Sequence, residues 1–125
     1  MSAIAANNKV VINLTTGPED AERATVAFLV GRTALQQGKQ VKMLVTKEAV
    51  RLAVSGVAET VSFDGYPPFS RVFQEFADAG GELFVCPLGF KTKELDEQEL
   101  VSNARIAGAT PLWEWIGEGA TVFSY

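Results

Sequence analysis

The sequence contains no histidine, which removes imidazole acid–base catalysis, Ser-His-Asp and Cys-His nucleophile pairs and His-ligated zinc or iron from what one chain could perform. It has one cysteine, Cys86, so an intrachain disulfide, a Cys-x-x-Cys redox couple and a multi-thiolate metal or cluster site are excluded too. Positive charge is scarce: 11 Lys and Arg stand against 15 Asp and Glu, a net charge of −4, which argues against nucleic acid as a partner. No stretch reaches the ~18 apolar residues of a membrane span. The opening Met1–Asn8 lacks a basic n-region and has too short an apolar run for a secretory signal. A cytoplasmic protein with no membrane partner and a reduced thiol is expected. Chemistry then falls to Cys86, carboxylates, Lys, Arg, Tyr or hydroxyls.

What is present fits an ordinary globular chain. At 125 residues, 47% of them hydrophobic and 21% charged, it is expected to form one domain over 1–125, with residues 1–8 as a flexible tail. At this length folding hides roughly 65% of the unfolded surface, so a core needs neither disulfide nor metal. No internal repeat, low-complexity tract or linker interrupts it.

Strand and helix signals alternate. Lys9-Val-Val-Ile-Asn-Leu14 is a nearly continuous apolar run, as in a strand covered on both faces. Thr16 and Glu19 then have capping-box spacing with Pro18 in the first turn, predicting a helix to about Gln37 that Gly38 stops. The middle of that helix, Ala24 to Gly31, is apolar nearly all round, so one face can lie on a sheet while the other calls for a second cover, a neighbouring subunit or another helix. Gln40–Thr46 reads as a second strand and Lys47–Ala53 as a short helix; Asp64–Phe69, with its Pro pair, is a loop. Phe69, Val72, Phe73 and Phe76 fall at helical spacing and mark core. Glu82–Cys86 is the third strand, closed by Pro87 and followed by a Gly-containing loop. Asp96 and Glu99 predict a capped helix to about Ser102, Ala104–Ala107 a brief strand, Thr110-Pro111 the start of another helix, and Ala120–Ser124 the last strand. Five strands separated by helices predict an α/β fold: three-layer α/β/α with a mostly parallel sheet.

Open parallel sheets place their sites at the carboxyl ends of strands. Cys86 ends the third strand there; Thr15–Asp20, including Thr16 and Gly17, and Thr46-Lys47 share that edge. Only roughly 3% of an ordinary thiol with pKa near 8.5 is thiolate at pH 7, and a helix start or a cation raises that fraction. Lys47, Lys91 and Lys93 are the candidate cations, and the alternative is a buried cysteine acting as apolar filler. Glu19 and Asp20 argue against a phosphate loop at Thr15-Thr16-Gly17, because they occupy the positive end of the helix dipole. Neither nucleotide-binding glycine motif occurs. Of Trp113 and Trp115, one is expected in the core; the other, with Tyr66 and Phe90, would line a pocket or a subunit contact.

Four segments together resemble the DsrE/DsrF-like sulfur-relay family: Asn13-Leu-Thr-Thr-Gly-Pro-Glu-Asp20, Glu82-Leu-Phe-Val-Cys-Pro-Leu-Gly-Phe90, Leu100-Val-Ser-Asn-Ala-Arg-Ile-Ala-Gly108 and Pro111-Leu-Trp-Glu-Trp115. The likeness runs from about residue 9 to 125. It implies a DsrEFH-like subunit with a five-stranded parallel sheet, assembled as a trimer or hexamer. It also implies a sulfur carrier, a sulfurtransferase in the broad sense, whose Cys86 holds sulfane sulfur as a persulfide between sulfur-donor and sulfur-acceptor proteins, with no cofactor or metal. Pro87 and Phe90, within the same segment, are expected to line the site. Where several relatives carry Cys-Pro-x-Cys, this chain reads Cys86-Pro-Leu-Gly89, so a resolving thiol is missing and release must come from an outside thiol. Two other readings are open: an oligomeric binding or accessory protein with an inert cysteine and a partner loop at Tyr66–Phe69, and a one-cysteine thiol peroxidase.

Overall fold

The strand signals are realised as five parallel strands in one sheet. A computed structural model describes residues 8–125; the expected tail, apart from Asn8, lies outside the described residues. The strands are β1 (Lys9–Leu14), β2 (Gln40–Val45), β3 (Glu82–Val85), β4 (Ala104–Ile106) and β5 (Thr121–Ser124), in the order β4-β3-β2-β1-β5. All pairings are parallel, so the sheet is wholly rather than mostly parallel. The helices are α1 (Ala21–Gln36), α2 (Phe69–Asp78), α3 (Pro87–Thr92) and α4 (Ala109–Ile116).

Register assigns the two faces. Ile12, Met43, Leu83 and Val85 share one face and pack with Phe28 of α1 and Phe69, Val72 and Phe76 of α2 in the main core. Val11, Leu44 and Phe84 share the other, where Leu112 and Trp115 of α4 cover them in a smaller core. From β1 to β4 the chain steps one way across the sheet under α1 and α2; returning to β5 it steps the other way, and a constant crossover hand carries α4 to the opposite face. The smaller face is edged with cations on aromatic rings. Lys9 Nζ lies 5.3 Å and Lys42 Nζ 5.4 Å from the Trp115 ring centre, while Arg105 stacks 4.5 Å from that of Phe84. Glu82 pairs with Lys42 and, at 3.9 Å, with Arg105.

Several local expectations change. Thr16 and Glu19 form no capping box: Pro18–Asp20 is a single 3₁₀ turn, Glu19 Oε1 accepts from the Gly17 amide at 2.8 Å, and Asp20 caps α1 by accepting from Arg23 N at 3.2 Å. The predicted loop after Cys86 is helix α3, with Pro87 in its first turn. The strand stops at Val85, so Cys86 is the residue just beyond it. Asp96 accepts from Gln98 N at 2.9 Å, but the turn it caps is only Glu97–Glu99. Beyond it the backbone pairs instead with the segment after β2, through Ser55 N to Glu99 O at 2.7 Å and Val101 N to Ala53 O at 2.9 Å. α4 begins at Ala109 after Gly108, with Thr110 and Pro111 inside its first turn rather than opening it.

Candidate functional site

The carboxyl edge is assembled by backbone before any side chain acts. Hydrogen bonds carry the ladder one residue past the strands: Thr46 N to Leu14 O at 3.1 Å, Cys86 N to Val45 O at 3.0 Å and Ala107 N to Val85 O at 3.1 Å. The Cys86 carbonyl then accepts from Phe90 N at 3.0 Å, which starts α3 and turns the chain away from the sheet.

Glycines bring the loops together. A Cβ on Gly17 would sit 2.3 Å from the Glu48 carbonyl oxygen, so only a hydrogen there lets the loop after β1 lie on the segment after β2. A Cβ on Gly89 would lie 3.3 Å from Val50 Cγ1, 3.6 Å from the Lys47 amide nitrogen and 3.9 Å from Cys86 Cβ, which places the Lys47 turn beside Cys86. Gly17→Ala is expected to cost about 1–3 kcal/mol, the usual penalty of overpacking, because both clashing partners are backbone. Urea unfolding checks this; an unchanged midpoint would show that the loops part easily.

Cys86 is half-buried and packs against the main core. Beside its neighbour Pro87, a groove of about 460 Å³ runs between α3 and the β4 edge, lined by Pro87, Phe90, Lys91, Glu94, Leu95 and Ile106 among others. Pro87 is exposed and Phe90 closes the floor with its ring buried. Leu88, which the sequence reading did not single out, is 74% exposed on the first turn of α3.

The cations divide. Lys93 Nζ lies 3.7 Å from Glu48 Oε2, and Arg51 Nε donates to Glu48 Oε1 at 2.8 Å, so Lys93 is used in tying α3 to the Lys47–Ala53 turn. Lys47 and Lys91 are exposed and take part in none of the ion pairs among the described residues; Lys47 also adopts a left-handed backbone, φ 52°. Glu48 and Arg51 were missed. Their i,i+3 spacing was a readable signal, whereas the reach from Glu48 to Lys93 was not.

The Arg51 hydrogen bond, joined by the charges of Arg51 and Lys93 and opposed by partial burial, holds the Glu48 carboxyl below its ordinary value of 4.5. A carboxyl depressed in the folded state stabilises fully above its unfolded value and loses that contribution as pH falls through the folded one. Glu48→Gln is therefore expected to be less stable than the native chain near neutrality, with the difference closing below about pH 4. Urea midpoints across pH 3–7 check it; a gap that stays constant would remove Glu48 from the link.

At the turn after β1 two carboxylates of the chain already take amides an anion would use, Glu19 at Gly17 N and Asp20 at Arg23 N. Thr16 Oγ1 is buried there without a hydrogen-bond partner. Tyr66 is anchored at the first turn of α1. Its hydroxyl donates to Glu22 Oε2 of α1 at 2.9 Å, a contact that raises its pKa above 10.0, and its ring meets Phe63 edge-on. Trp113 is 70% exposed, and Trp115 is the tryptophan that packs, partly buried, against the smaller core.

The arrangement offers one half-buried cysteine at the carboxyl edge, with the exposed Lys47 and Lys91 on the two neighbouring segments. No helix of the described residues is long and apolar enough to cross a membrane. A family model described as the DsrE/DsrF-like family matches residues 8–125. The uncharacterized protein MJ0760 of Methanocaldococcus jannaschii is 22% identical over 117 residues, a match taking in 94% of this chain and 42% of that one, so the chain spans less than half of that relative. The uncharacterized protein MK0008 of Methanopyrus kandleri is 23% identical over 116 residues, 93% of each chain. Among solved structures, the YchN protein of E. coli superposes with a TM-score of 0.77 at 14% identity, over 94% of this chain and 99% of that one, a likeness of fold.

Proposed function

Because the chain belongs to the DsrE/DsrF-like family, a membership that points to a sulfur-relay role, we propose that it carries sulfane sulfur as a persulfide on Cys86 and yields it to the thiol of a partner protein. The observation that supports this reading is the one cysteine of the chain, half-buried at the carboxyl edge of the sheet. The Cys86 thiolate attacks the outer sulfur of a donor persulfide; a new S–S bond forms to Cys86, the old one breaks, and the donor leaves as a thiolate. An acceptor thiolate then attacks the outer sulfur on Cys86 and releases Cys86 as thiolate. No net oxidation occurs in either step, and no resolving cysteine is needed.

Local charge supports the role. The turn 47–53 and the segment 86–94 hold Lys47, Arg51, Lys91 and Lys93 against two acids, Glu48 and Glu94, in a chain of net charge −4. Such a patch draws anionic sulfur species and an acidic partner surface to the thiol. Lys47 and Lys91 are free to meet them, while Lys93 steadies α3. Gly17 lets the neighbouring loop lie close, with Thr16 beside it, Pro87 and Phe90 line the approach, and Tyr66 stands at the start of α1. The protein works in the cytoplasm as a homo-oligomer, a trimer or hexamer, with donor and acceptor proteins as its other partners. The apolar residues Val26, Leu29 and Val30, only half-buried on α1, support that assembly. Incubation with a sulfane-sulfur donor followed by intact mass measurement, with Cys86→Ser as control, tests the reading.

A further inference from the structure

The groove between α3 and the β4 edge gathers charges that the fold leaves unused. Lys91, Glu94 and Glu97 all line it, and none of them takes part in an ion pair among the described residues. Lys91 and Glu94 have the i,i+3 spacing at which opposite charges on a helix meet. They stay apart because α3 ends at Thr92 and Glu94 adopts a left-handed backbone, φ 53°. Glu94 N donates to Lys91 O at 3.0 Å and Leu95 N to Phe90 O at 3.3 Å, a helix ending whose left-handed residue is usually glycine. A glutamate there strains the backbone, and no ion pair of the fold offsets the strain. Between the charges the lining is apolar, with Phe90, Leu95 and Ile106.

One cation and two carboxylates around an apolar groove of about 460 Å³ are the complement of a zwitterion with a short apolar stem. Pro87 directly follows Cys86, and Lys91, four residues on, lies on the same face of α3, about 5–6 Å away between Cβ atoms. That spacing is comparable with the reach from the carboxylate of a three-carbon amino thiol to its outer sulfur. We infer that the groove binds cysteine persulfide, its carboxylate at Lys91, its ammonium between Glu94 and Glu97, and its two sulfurs directed past Pro87 toward Cys86. A purely anionic donor such as thiosulfate would meet two acids for one cation, and a neutral donor would leave all three charges unanswered. Cysteine within a protein chain has no free ammonium and carboxylate on its α-carbon, so the groove favours the amino acid over a partner's side chain. The donor role rests on the sulfur-relay reading; the binding does not. In that role the Cys86 thiolate attacks the outer sulfur, an S–S bond to Cys86 forms as the donor's S–S bond breaks, and cysteine departs as its thiolate with no net oxidation.

Binding is tested apart from sulfur transfer with S-methylcysteine, whose methyl stands where the outer sulfur would be, titrated into the isotope-labelled Cys86→Ser chain. Amide resonances of residues 88–97 and of Ile106 are expected to shift and saturate. Methylthiopropionate, which lacks the ammonium, and methylthioethylamine, which lacks the carboxylate, are each expected to bind about tenfold more weakly. Lys91→Met and Glu97→Gln are expected to weaken S-methylcysteine by a similar factor. Glu94→Gly is expected to weaken it too while the urea midpoint holds or rises, because glycine relieves the left-handed backbone. Shifts centred on residues 47–53, an affinity indifferent to either ligand charge, or no saturable shift overturns the inference. Intact mass of the native chain after cysteine persulfide keeps the two readings apart. S-methylcysteine bound without sulfur uptake overturns the relay and supports the groove, whereas uptake from other donors without S-methylcysteine binding overturns the groove and leaves the relay standing.

Discussion

Cys86→Ser is expected to abolish sulfur uptake completely, while the native chain gains one sulfur atom per chain and no more. One persulfide per chain follows from composition, since there is one thiol to carry it and no second thiol to expel it as an internal disulfide. The completeness follows from chemistry, since a serine hydroxyl stays protonated near neutrality and cannot displace a thiolate from a persulfide. The substitution is nearly isosteric at a half-buried position, so the urea midpoint should barely move, and loss of uptake will not reflect loss of fold. Sulfur held by the native chain is expected to leave on addition of an external thiol. Uptake that survives in Cys86→Ser would overturn the relay. Oxygen additions with peroxide and no sulfur gain would favour a thiol peroxidase, and a thiol that resists labelling in the folded chain would favour an accessory protein.

Phe28→Ala is expected to cost about 3–5 kcal/mol, the largest stability effect of any substitution considered for this chain. Phe28 is fully buried on the inner face of α1, and three rings surround it: Phe69 at 5.1 Å, Phe73 at 5.2 Å and Phe76 at 5.2 Å between ring centres. Two of those contacts are edge-on, the favoured arrangement, so the substitution removes pairing energy as well as buried area. A rigid sheet backs the site and limits collapse into the void. Against a typical total of 5–15 kcal/mol, such a loss leaves a marginal protein. Urea unfolding measures it, with Phe28→Leu expected to recover much of the difference. A cost below about 1 kcal/mol would mean that α1 and α2 do not share one core.

What could be read in advance was what is local and periodic. The stripe Phe69, Val72, Phe73 and Phe76 depends only on helical spacing, and all four residues are buried. Cys86 at a strand end followed the apolar run before it and Pro87 after it. α3 was hidden because Gly89 looks like a helix breaker, and its actual service, close approach to Val50 and the Lys47 amide, is visible only once distant segments meet. The helix expected after Asp96 failed for the same kind of reason: its backbone groups are claimed by residues 53–55, and tertiary pairing overrides a capping signal. At Thr16 the competing carboxylate was one residue away, Asp20 taking the cap while Glu19 folded back on Gly17. Strand order leaves no trace in periodicity, because an inner parallel strand is apolar on both sides whoever its neighbours are.

The union of Val10–Asn13 with Thr121–Ser124 has a bearing on how the molecule comes into being. β5, the second neighbour of β1, follows it only after β2, β3 and β4, so a nascent chain holds β1 with one flank bare until residues 121–124 have cleared the ribosome. Contacts so remote in the chain close slowly. Over that interval a sticky, unguarded ribbon is on display, and an mRNA truncated shortly before that point would leave it so permanently, a product destined for aggregation or proteolysis rather than a weakened version of the same protein.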